Sequence, residues 1–307
     1  MGGDFLIKVL ATDGIEASAA KALQDKGFQV VQEFFELEDL KKQVKDFDVL
    51  VVRSATKVRG PVIDAALEAG RLKMIIRGGV GVDNIDVEYA EKSGIKVFNT
   101  PNASSASVAE LAIAHMFSLA RYIYISNVTM REGKWEKKEY EGSELCGKTL
   151  GLVGFGRIAV ETAKRAKALG MDVAYTNRSG PAEGYGEYRY MPLDQLLKTA
   201  DFISLHVPGS EDGKPVIGRD EIDKMKDGVF IVNTARGGVV CEDSLLDALD
   251  SGKVAAAAID VFSEEPVKNE RLFTHPKISL TPHIGGSTAE AQERIGSEVV
   301  DIILRNS

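Results

Sequence analysis

Gly154-Phe155-Gly156-Arg157-Ile158-Ala159 follows the apolar run TLGLV and opens a helix-like stretch that stops at Gly170. Residues of these types at this spacing suit a ligand that carries phosphate. Gly154 permits a tight turn, Gly156 lets the backbone approach a pyrophosphate, and the small Ala159 lets helix and strand pack closely. The helix N-terminus offers unpaired N–H groups to the anion. A glycine-rich turn alone often only turns. Here strand, helix, stop and second strand all fall within about 30 residues, which is the context the string needs. Gly154, Phe155, Gly156, Arg157 and Ile158 are therefore expected to bind a dinucleotide.

The second strand ends at Tyr175-Thr176-Asn177-Arg178-Ser179. Sites for NAD usually carry Asp or Glu here, about 20 residues beyond the loop, on the ribose hydroxyl. A carboxylate would repel a 2′-phosphate, whereas Asn177, Arg178 and Ser179 offer hydrogen bonds and a positive charge. The turn favours NADP(H) over NAD(H). NAD stays open, because Arg178 reads equally as a solvated loop cation.

Further along come FIVNTARGGVV with Arg236, AAIDVFSEEP with Asp260 and Glu265, and ISLTPHIGGST with His283. Singly, an Arg beside glycines is a surface charge and a His beside Pro is a loop residue. In this order behind such a loop, the chain resembles the D-isomer-specific 2-hydroxyacid dehydrogenases over nearly its whole length. The resemblance implies that Arg236, Glu265 and His283 form the catalytic set. A histidine gives or takes the proton on the substrate oxygen. A neighbouring carboxylate favours the imidazolium, and an arginine fork clamps a carboxylate and polarises a carbonyl. The hydride belongs to the cofactor. Further cofactor contacts are implied at His206, Val207, Pro208, Thr234, Ala235, Asp260 and Gly285. His115, inside an apolar helix, reads as a packed residue and His275 as surface. Two departures stand out: Cys241 replaces the family's usual Asp after the GGxxV string, and Glu264 adjoins Glu265. Position before Pro266 assigns the role to Glu265 and leaves Glu264 on the surface.

In the N-terminal half, VVRSATKV, IIRGGVGVDNID and FNTPNASS resemble the 3-phosphoglycerate dehydrogenase branch, in which such segments contact substrate. This implies backbone N–H groups from Gly78, Gly79 and Val80 to the substrate carboxylate, and Arg53, Ser54, Arg77 and Asn102 around it. Arg53 and Arg77 would face a phosphate, and Lys137 or Lys138 would reach it. The plainer alternative is that these cations are strand-end charges. The activity implied is conversion of 3-phosphoglycerate to 3-phosphohydroxypyruvate in serine biosynthesis. The alternatives are an NADPH-dependent glyoxylate or hydroxypyruvate reductase and, outside enzymology, a dinucleotide-sensing corepressor. The last residue, Ser307, leaves no room for a C-terminal regulatory domain, so feedback by serine is not expected.

These residues need elements to position them. Short apolar runs alternate with helical patterns almost from end to end, which implies βαβ crossovers and parallel sheets. The expected fold is α/β with two Rossmann-like domains. Residues 1–100 and 283–307 would form a flavodoxin-like substrate domain, and residues 101–282 the dinucleotide-binding domain. A long apolar helix is expected over Ala103–Arg121, capped by Ser104 or Ser105, and a helix over Ser287–Leu304. Gly27, Gly70 and Gly94 read as left-handed helix stops. The polar stretch Met130–Gly147 reads as a mobile or partner-facing connection.

A chain of 307 residues exceeds one ordinary core. With 44% hydrophobic and 27% charged residues, its composition is that of a globular protein. A net charge of -8 argues against a nucleic-acid-binding surface. No apolar run approaches the roughly 20 residues that span a bilayer, and Met1-Gly2-Gly3-Asp4 opens no signal or myristoylation pattern. Cys146 and Cys241, without CxxC spacing, read as reduced thiols of a cytoplasmic protein. A homodimer and no metal site complete the expectation.

Overall fold

The computed structural model describes residues 6–210 and 213–307; Met1–Asp4 and the expected strand start at Phe5 lie outside them. The chain forms two compact units, Met1–Ser104 with Gly286–Ser307, and Ser105–Gly285.

In the first unit, strands β1 (Lys8–Ala11), β2 (Gln29–Gln32), β3 (Val49–Val52), β4 (Met74–Arg77) and β5 (Lys96–Asn99) alternate with helices α1 (Ala17–Asp25), α2 (Leu37–Gln43), α3 (Gly60–Ala69) and α4 (Val87–Lys92). Short β-branched runs between helices can bury both faces only as a parallel sheet. The order is β2-β1-β3-β4-β5, every pair parallel. This is the flavodoxin-like winding. All of β3 is buried, and its residues alternate between two cores. Leu50 and Val52 join Val62 and Ile63 of α3, while Val49 and Val51 join Ile295, Val299 and Ile303. Each fully buried aliphatic side chain contributes roughly 1.5–3 kcal/mol. Those last three residues belong to α12 (Ala289–Asn306), whose stripe at every fourth residue returns the C-terminus to this unit. Thr288 caps it, its Oγ1 accepting from the Ala291 N–H at 3.1 Å.

The second unit runs through α5 (Ser105–Ala120), α6 (Ile123–Arg131), β6 (Thr149–Val153), α7 (Arg157–Ala168), β7 (Asp172–Thr176), β8 (Arg189–Tyr190), α8 (Leu193–Thr199), β9 (Phe202–Leu205), α9 (Arg219–Lys224), β10 (Val229–Asn233), α10 (Glu242–Ser251), β11 (Val254–Ile259), α11 (Glu270–Thr274) and β12 (Ile278–Leu280). Its sheet has the order β12-β11-β10-β9-β6-β7-β8, again parallel throughout. The chain winds outward from β6 to β8, then restarts on the other side of β6 at β9. A ligand crevice forms at such a switch, beyond the carboxyl ends of the strands.

The unit boundaries differ from the expectation at both ends. Residues 101–104 belong to the first unit, because Ala103 is buried there and its carbonyl accepts from Arg294 Nε at 2.8 Å. Residues 283–285 belong to the second, because the amides of Ile284 and Gly285 are bonded to Asp260. The long apolar helix starts at Ser105, not Ala103, and ends at Ala120. A further helix, α6, occupies Ile123–Arg131 and takes in the start of the stretch read as a connection. Its polar Ser126, Asn127 and Thr129 obscure the pattern. Thr129 is nevertheless buried, bonded to the Ser126 carbonyl and to Tyr140. Gly27, Gly70 and Gly94 all take positive φ, as expected.

Beyond β9, His206 Nε2 is bonded to Ser204 Oγ at 2.9 Å, and burial pushes the imidazole pKa down to about 4 from 6.5. The unfolded chain therefore takes up a proton that the native state refuses. This leaves stability untouched above about pH 6.5 and costs the native state progressively as the pH falls from there towards about 4. Urea midpoints measured from pH 7 to 4 should fall, and His206→Asn should flatten the slope within that window. An equal slope in the variant would refute the assignment.

Candidate active site

The dinucleotide loop starts where β6 ends. Gly154 takes φ 90°, and a Cβ there would lie 2.4 Å from the His206 carbonyl oxygen, so only glycine fits. Phe155 turns its side chain away from the loop. Its ring is 7% exposed and stacks on Tyr175 at 3.8 Å, with Tyr185 and Tyr188 against its edge, so only its backbone belongs to the loop. Gly156 is exposed, with nothing within 4 Å of where a Cβ would stand. Directly beyond it α7 begins, and the first-turn N–H groups of Arg157, Ile158 and Ala159 have no intrahelical acceptor. Open space in front of unpaired N–H groups is what a pyrophosphate requires. Ala159 is fully buried, which lets α7 lie close to the sheet.

His206 turns its imidazole to Ser204, and its carbonyl lies against Gly154 of the loop. Val207 is half-buried against the core and Pro208 is exposed. Ala235 is buried, its N–H bonded to Asn233 Oδ1 at 3.1 Å. Thr234, at the end of β10, is 7% exposed, and its Oγ1 has no partner among the described residues. A buried hydroxyl without a partner is costly and marks where a ligand group completes the bonding. The chain's residues thus fit a dinucleotide. Past β7, Asn177 Nδ2 donates to Ser179 Oγ at 2.9 Å, closing the turn. Arg178 is exposed and makes no hydrogen bond or ion pair among the described residues. Tyr175 pins the far side of this turn by accepting from the Ala182 N–H at 2.9 Å.

Arg236, Glu265 and His283 follow β10, β11 and β12, which are adjacent and parallel, so all three come to one edge of the sheet. Asn233 shapes the first turn, donating to the Arg236 carbonyl and accepting from the Ala235 N–H. Arg236 Nη1 donates to the Ala235 carbonyl at 2.6 Å. The turn presses on the segment that carries Glu265. A Cβ on Gly237 would stand 1.8 Å from the Phe262 carbonyl oxygen, so no other residue allows this approach. Glu242 braces the same segment by accepting from the Ser263 N–H at 2.8 Å. Cys241 accepts from Ser244 Oγ at 3.2 Å, a local bond ahead of α10.

Glu265 Oε1 accepts from the Phe262 N–H at 3.1 Å, and Oε2 is 2.8 Å from His283 Nδ1. Glu264 pairs instead with Lys268, so the expected distinction between the two carboxylates holds in the geometry. With Nδ1–H given to Glu265, His283 presents Nε2 for proton exchange. His283 also takes φ 53°, a conformation few non-glycine residues adopt. Asp260 holds it there. Its carboxylate is 1% exposed and accepts from Thr281 Oγ1 at 2.6 Å, Ile284 N at 2.8 Å and Gly285 N at 2.9 Å. Asp260 and Gly285, both expected to touch cofactor, are bonded to each other within this loop.

In the first unit, Asp13 and Asn84, which motif reading passed over, build the segment after β3. Asp13 accepts from the N–H groups of Arg53 and Thr56 and from Thr56 Oγ1. Asn84 Nδ2 donates at 2.7 Å to the carbonyls of both Arg53 and Thr56. The Arg53 guanidinium makes no hydrogen bond or ion pair among the described residues, and Ser54 and Asn102 are exposed. Arg77 folds its guanidinium across Gly79, Nη1 donating to the Gly78 carbonyl at 3.0 Å. The Gly78 N–H is already given to the Val52 carbonyl at 2.8 Å, which removes it from the expected anion contacts. The amides of Gly79 and Val80 stay available, and Asn99 Nδ2 steadies this loop through the Val80 carbonyl at 2.6 Å. Lys137 and Lys138 lie in the other unit, on a single 3-10 turn.

Comparison with known proteins agrees with this geometry. The family description "D-isomer specific 2-hydroxyacid dehydrogenase, NAD binding domain" matches residues 113–285. A hydroxypyruvate reductase of Thermotoga maritima is 48% identical over 302 residues, spanning 97% of each chain. A D-3-phosphoglycerate dehydrogenase of Methanocaldococcus jannaschii is 46% identical over 301 residues, covering 97% of this chain but 57% of that longer protein. The crystal structure of an NADPH-dependent glyoxylate/hydroxypyruvate reductase of Sinorhizobium meliloti with NADP and malonate superposes with a TM-score of 0.85 at 29% identity, covering 97% of this chain and 92% of that one. With its paired Glu265 and His283 and a loop built for a nicotinamide dinucleotide, the chain is an oxidoreductase and belongs to the D-isomer-specific 2-hydroxyacid dehydrogenase family.

Proposed function

We propose that this protein interconverts 3-phosphoglycerate and 3-phosphohydroxypyruvate, as a step towards serine. The observation that carries this reading is Arg53, whose guanidinium has no partner among the described residues and whose Cγ lies 3.7 Å from the Cβ position of Gly78. The Gly79 and Val80 amides suffice for a carboxylate, and Arg53 adds a place for a second anion. The nicotinamide dinucleotide, when bound, supplies or accepts the hydride. In reduction, His283 gives its Nε2 proton to the keto oxygen. Glu265 Oε2, at 2.8 Å, keeps the other ring proton on Nδ1 and so fixes the ring's tautomer and orientation. Arg236 polarises the carbonyl and clamps the acid group. The first turn of α7 and the space over Gly156 hold the pyrophosphate, and Thr234 Oγ1 gains a partner.

A second reading is an NADPH-dependent reductase of hydroxypyruvate or glyoxylate. It is favoured by the carboxylate-free turn at Asn177-Arg178-Ser179 and by the hydroxypyruvate reductase of Thermotoga maritima, which this chain matches along 97% of its length. NADP(H) suits that turn under either reading. We further infer a homodimer formed through α6 and the segment after it, where Ile123, Val128, Met130 and Trp135 are 50% to 79% exposed. The free thiols of Cys146 and Cys241 suit a reducing, cytoplasmic compartment.

His283→Ala should lower kcat by at least about 100-fold with dinucleotide binding retained, as measured by steady-state kinetics and fluorescence titration. Unimpaired turnover would refute the assignment. Crossing NAD(H) and NADP(H) with 3-phosphohydroxypyruvate, hydroxypyruvate and glyoxylate separates the two readings. Arg53→Ala should cost the phosphorylated acid at least about tenfold more in kcat/KM than glyoxylate; equal losses would favour the reductase. Arg178→Asp should shift cofactor preference towards NADH by about tenfold or more, and an unmoved ratio would place 2′-phosphate recognition elsewhere. Sedimentation should show a dimer that Val128→Glu dissociates; a monomeric parent protein would remove the dimer proposal.

A further inference from the structure

Five side chains of the dinucleotide-binding unit stand in single file and end on the backbone of the His283 loop. Ser118 and His115 project from neighbouring turns of α5, Ser279 and Thr281 from the end of β12, and Asp260 from the residue after β11. Ser118 Oγ lies 3.4 Å from Ser279 Oγ, and Ser279 Oγ 3.4 Å from His115 Nδ1. His115 Nε2 lies 3.1 Å from Thr281 Oγ1, which donates to Asp260 Oδ1 at 2.6 Å. The final bond sets the direction of the others. An ionised carboxylate only accepts, so Thr281 spends its one hydroxyl proton on Asp260. Thr281 Oγ1 can then only accept from His115, which puts the ring proton on Nε2. Nδ1 is left to accept from Ser279, and Ser118 donates to Ser279. Each member donates towards Asp260, so the bonds polarise one another in one sense.

Two features show that the file is built for more than filling space. His115 is 3% exposed in a helix that otherwise buries small and apolar side chains there, and the hydrophobic packing alone would be served by leucine or methionine. Its ring is kept neutral by burial, which lowers its pKa against the opposing pull of Asp260. A neutral ring is what the file requires, since Nδ1 must accept. At the other end, Asp260 binds the amides of Ile284 and Gly285, the two residues after His283 with its φ of 53°. Thr281 is the third donor to that carboxylate, so it sets the plane from which the amides hang.

We propose that His115 is a positioning residue for proton transfer at His283, acting through Thr281 and Asp260. The proposal rests on the reading of His283 as the acid–base residue. His115 touches neither substrate nor cofactor in this account. Its Nε2–H fixes the rotamer of the Thr281 hydroxyl, Thr281 fixes the Asp260 carboxylate, and Asp260 fixes the backbone that aims His283 at Glu265 and at the substrate oxygen. Without that N–H the Thr281 hydroxyl is free to turn, and the loop loses its reference point. Misplacement of a catalytic group by about 1 Å costs about 100-fold, so partial loosening is expected to cost about tenfold.

The test compares His115→Met, close in volume but lacking the N–H, with His115→Gln, whose side-chain amide donates from nearly the place of Nε2. Each is measured for kcat, KM and the pH profile of kcat, with dinucleotide Kd by fluorescence titration, alongside His283→Ala. His115→Met is expected to lose about tenfold in kcat with a displaced pH profile and a dinucleotide Kd within about twofold of the parent, and His115→Gln to recover to within about threefold. Thr281→Val interrupts the file one bond later and must show the same loss; it serves should the methionine variant not fold. With His283→Ala inactive, a methionine or valine variant with parental kcat and pH profile, or a glutamine variant as slow as the methionine one, overturns the proposal and leaves the catalytic reading intact. Turnover retained in His283→Ala removes the catalytic reading and this proposal with it.

Discussion

A carboxylate taken out of water must be met by donors, and Asp260 satisfies that demand with the three groups that shape the loop carrying His283. It sits directly after β11, 1% exposed, and accepts from Thr281 Oγ1 and the N–H groups of Ile284 and Gly285. Leaving such an anion unpaired would cost several kcal/mol, so the loop has little freedom to take another path. The left-handed backbone of His283 is the local consequence. A residue held at φ 53° is under strain unless its surroundings over-determine it, and three bonds to one buried carboxylate do so. The same bonds explain why residues 283–285 belong with the dinucleotide-binding unit.

Two parallel sheets account for the placement of everything else. In a parallel sheet each strand delivers its carboxyl end to the same edge, so groups distant in sequence arrive together without special pleading. The loop at Gly154, the turn at Asn177, the carbonyl of His206, and Arg236, Glu265 and His283 all leave β6, β7, β9, β10, β11 and β12 on that side. The first unit repeats the arrangement, with Asp13, Arg53, Arg77 and Asn99 at the ends of β1, β3, β4 and β5. Close backbone approach then sets the fine spacing. Gly154 against the His206 carbonyl and Gly237 against that of Phe262 are contacts a single Cβ would break.

The anion handling proposed for this protein is local. The chain carries a net charge of -8, yet the groups proposed to meet anions are amides and a few cations with no carboxylate partner among the described residues. The start of α7 and the Gly79–Val80 amides contribute partial positive charge that needs no counterion, as helix and loop N–H groups do generally. Arg53 and Arg178 add full charges at positions where no carboxylate neutralises them among the described residues. Cations already paired internally would have to break those pairs before meeting a ligand.

Much was legible in the residues alone: alternating apolar runs and helices, the loop at Gly154, and the ordered Arg236, Glu265 and His283. Periodicity and turn chemistry are local properties, so the chain states them directly. The α6 helix escaped because its polar side is satisfied by bonds to Tyr140 and to its own turn, which hydrophobic patterning does not register. Gly78 could not be known to have spent its N–H on Val52, nor Phe155 to have turned its ring onto Tyr175, because both depend on partners distant in sequence. Nor could His115 be told from an ordinary packed histidine before α5 was laid beside β12. The sequence by itself determined the strands, the helices and the types of group available for chemistry. The tertiary structure decided which donors and acceptors remained free, because each buried polar group must be satisfied by whatever the fold places within about 3 Å of it.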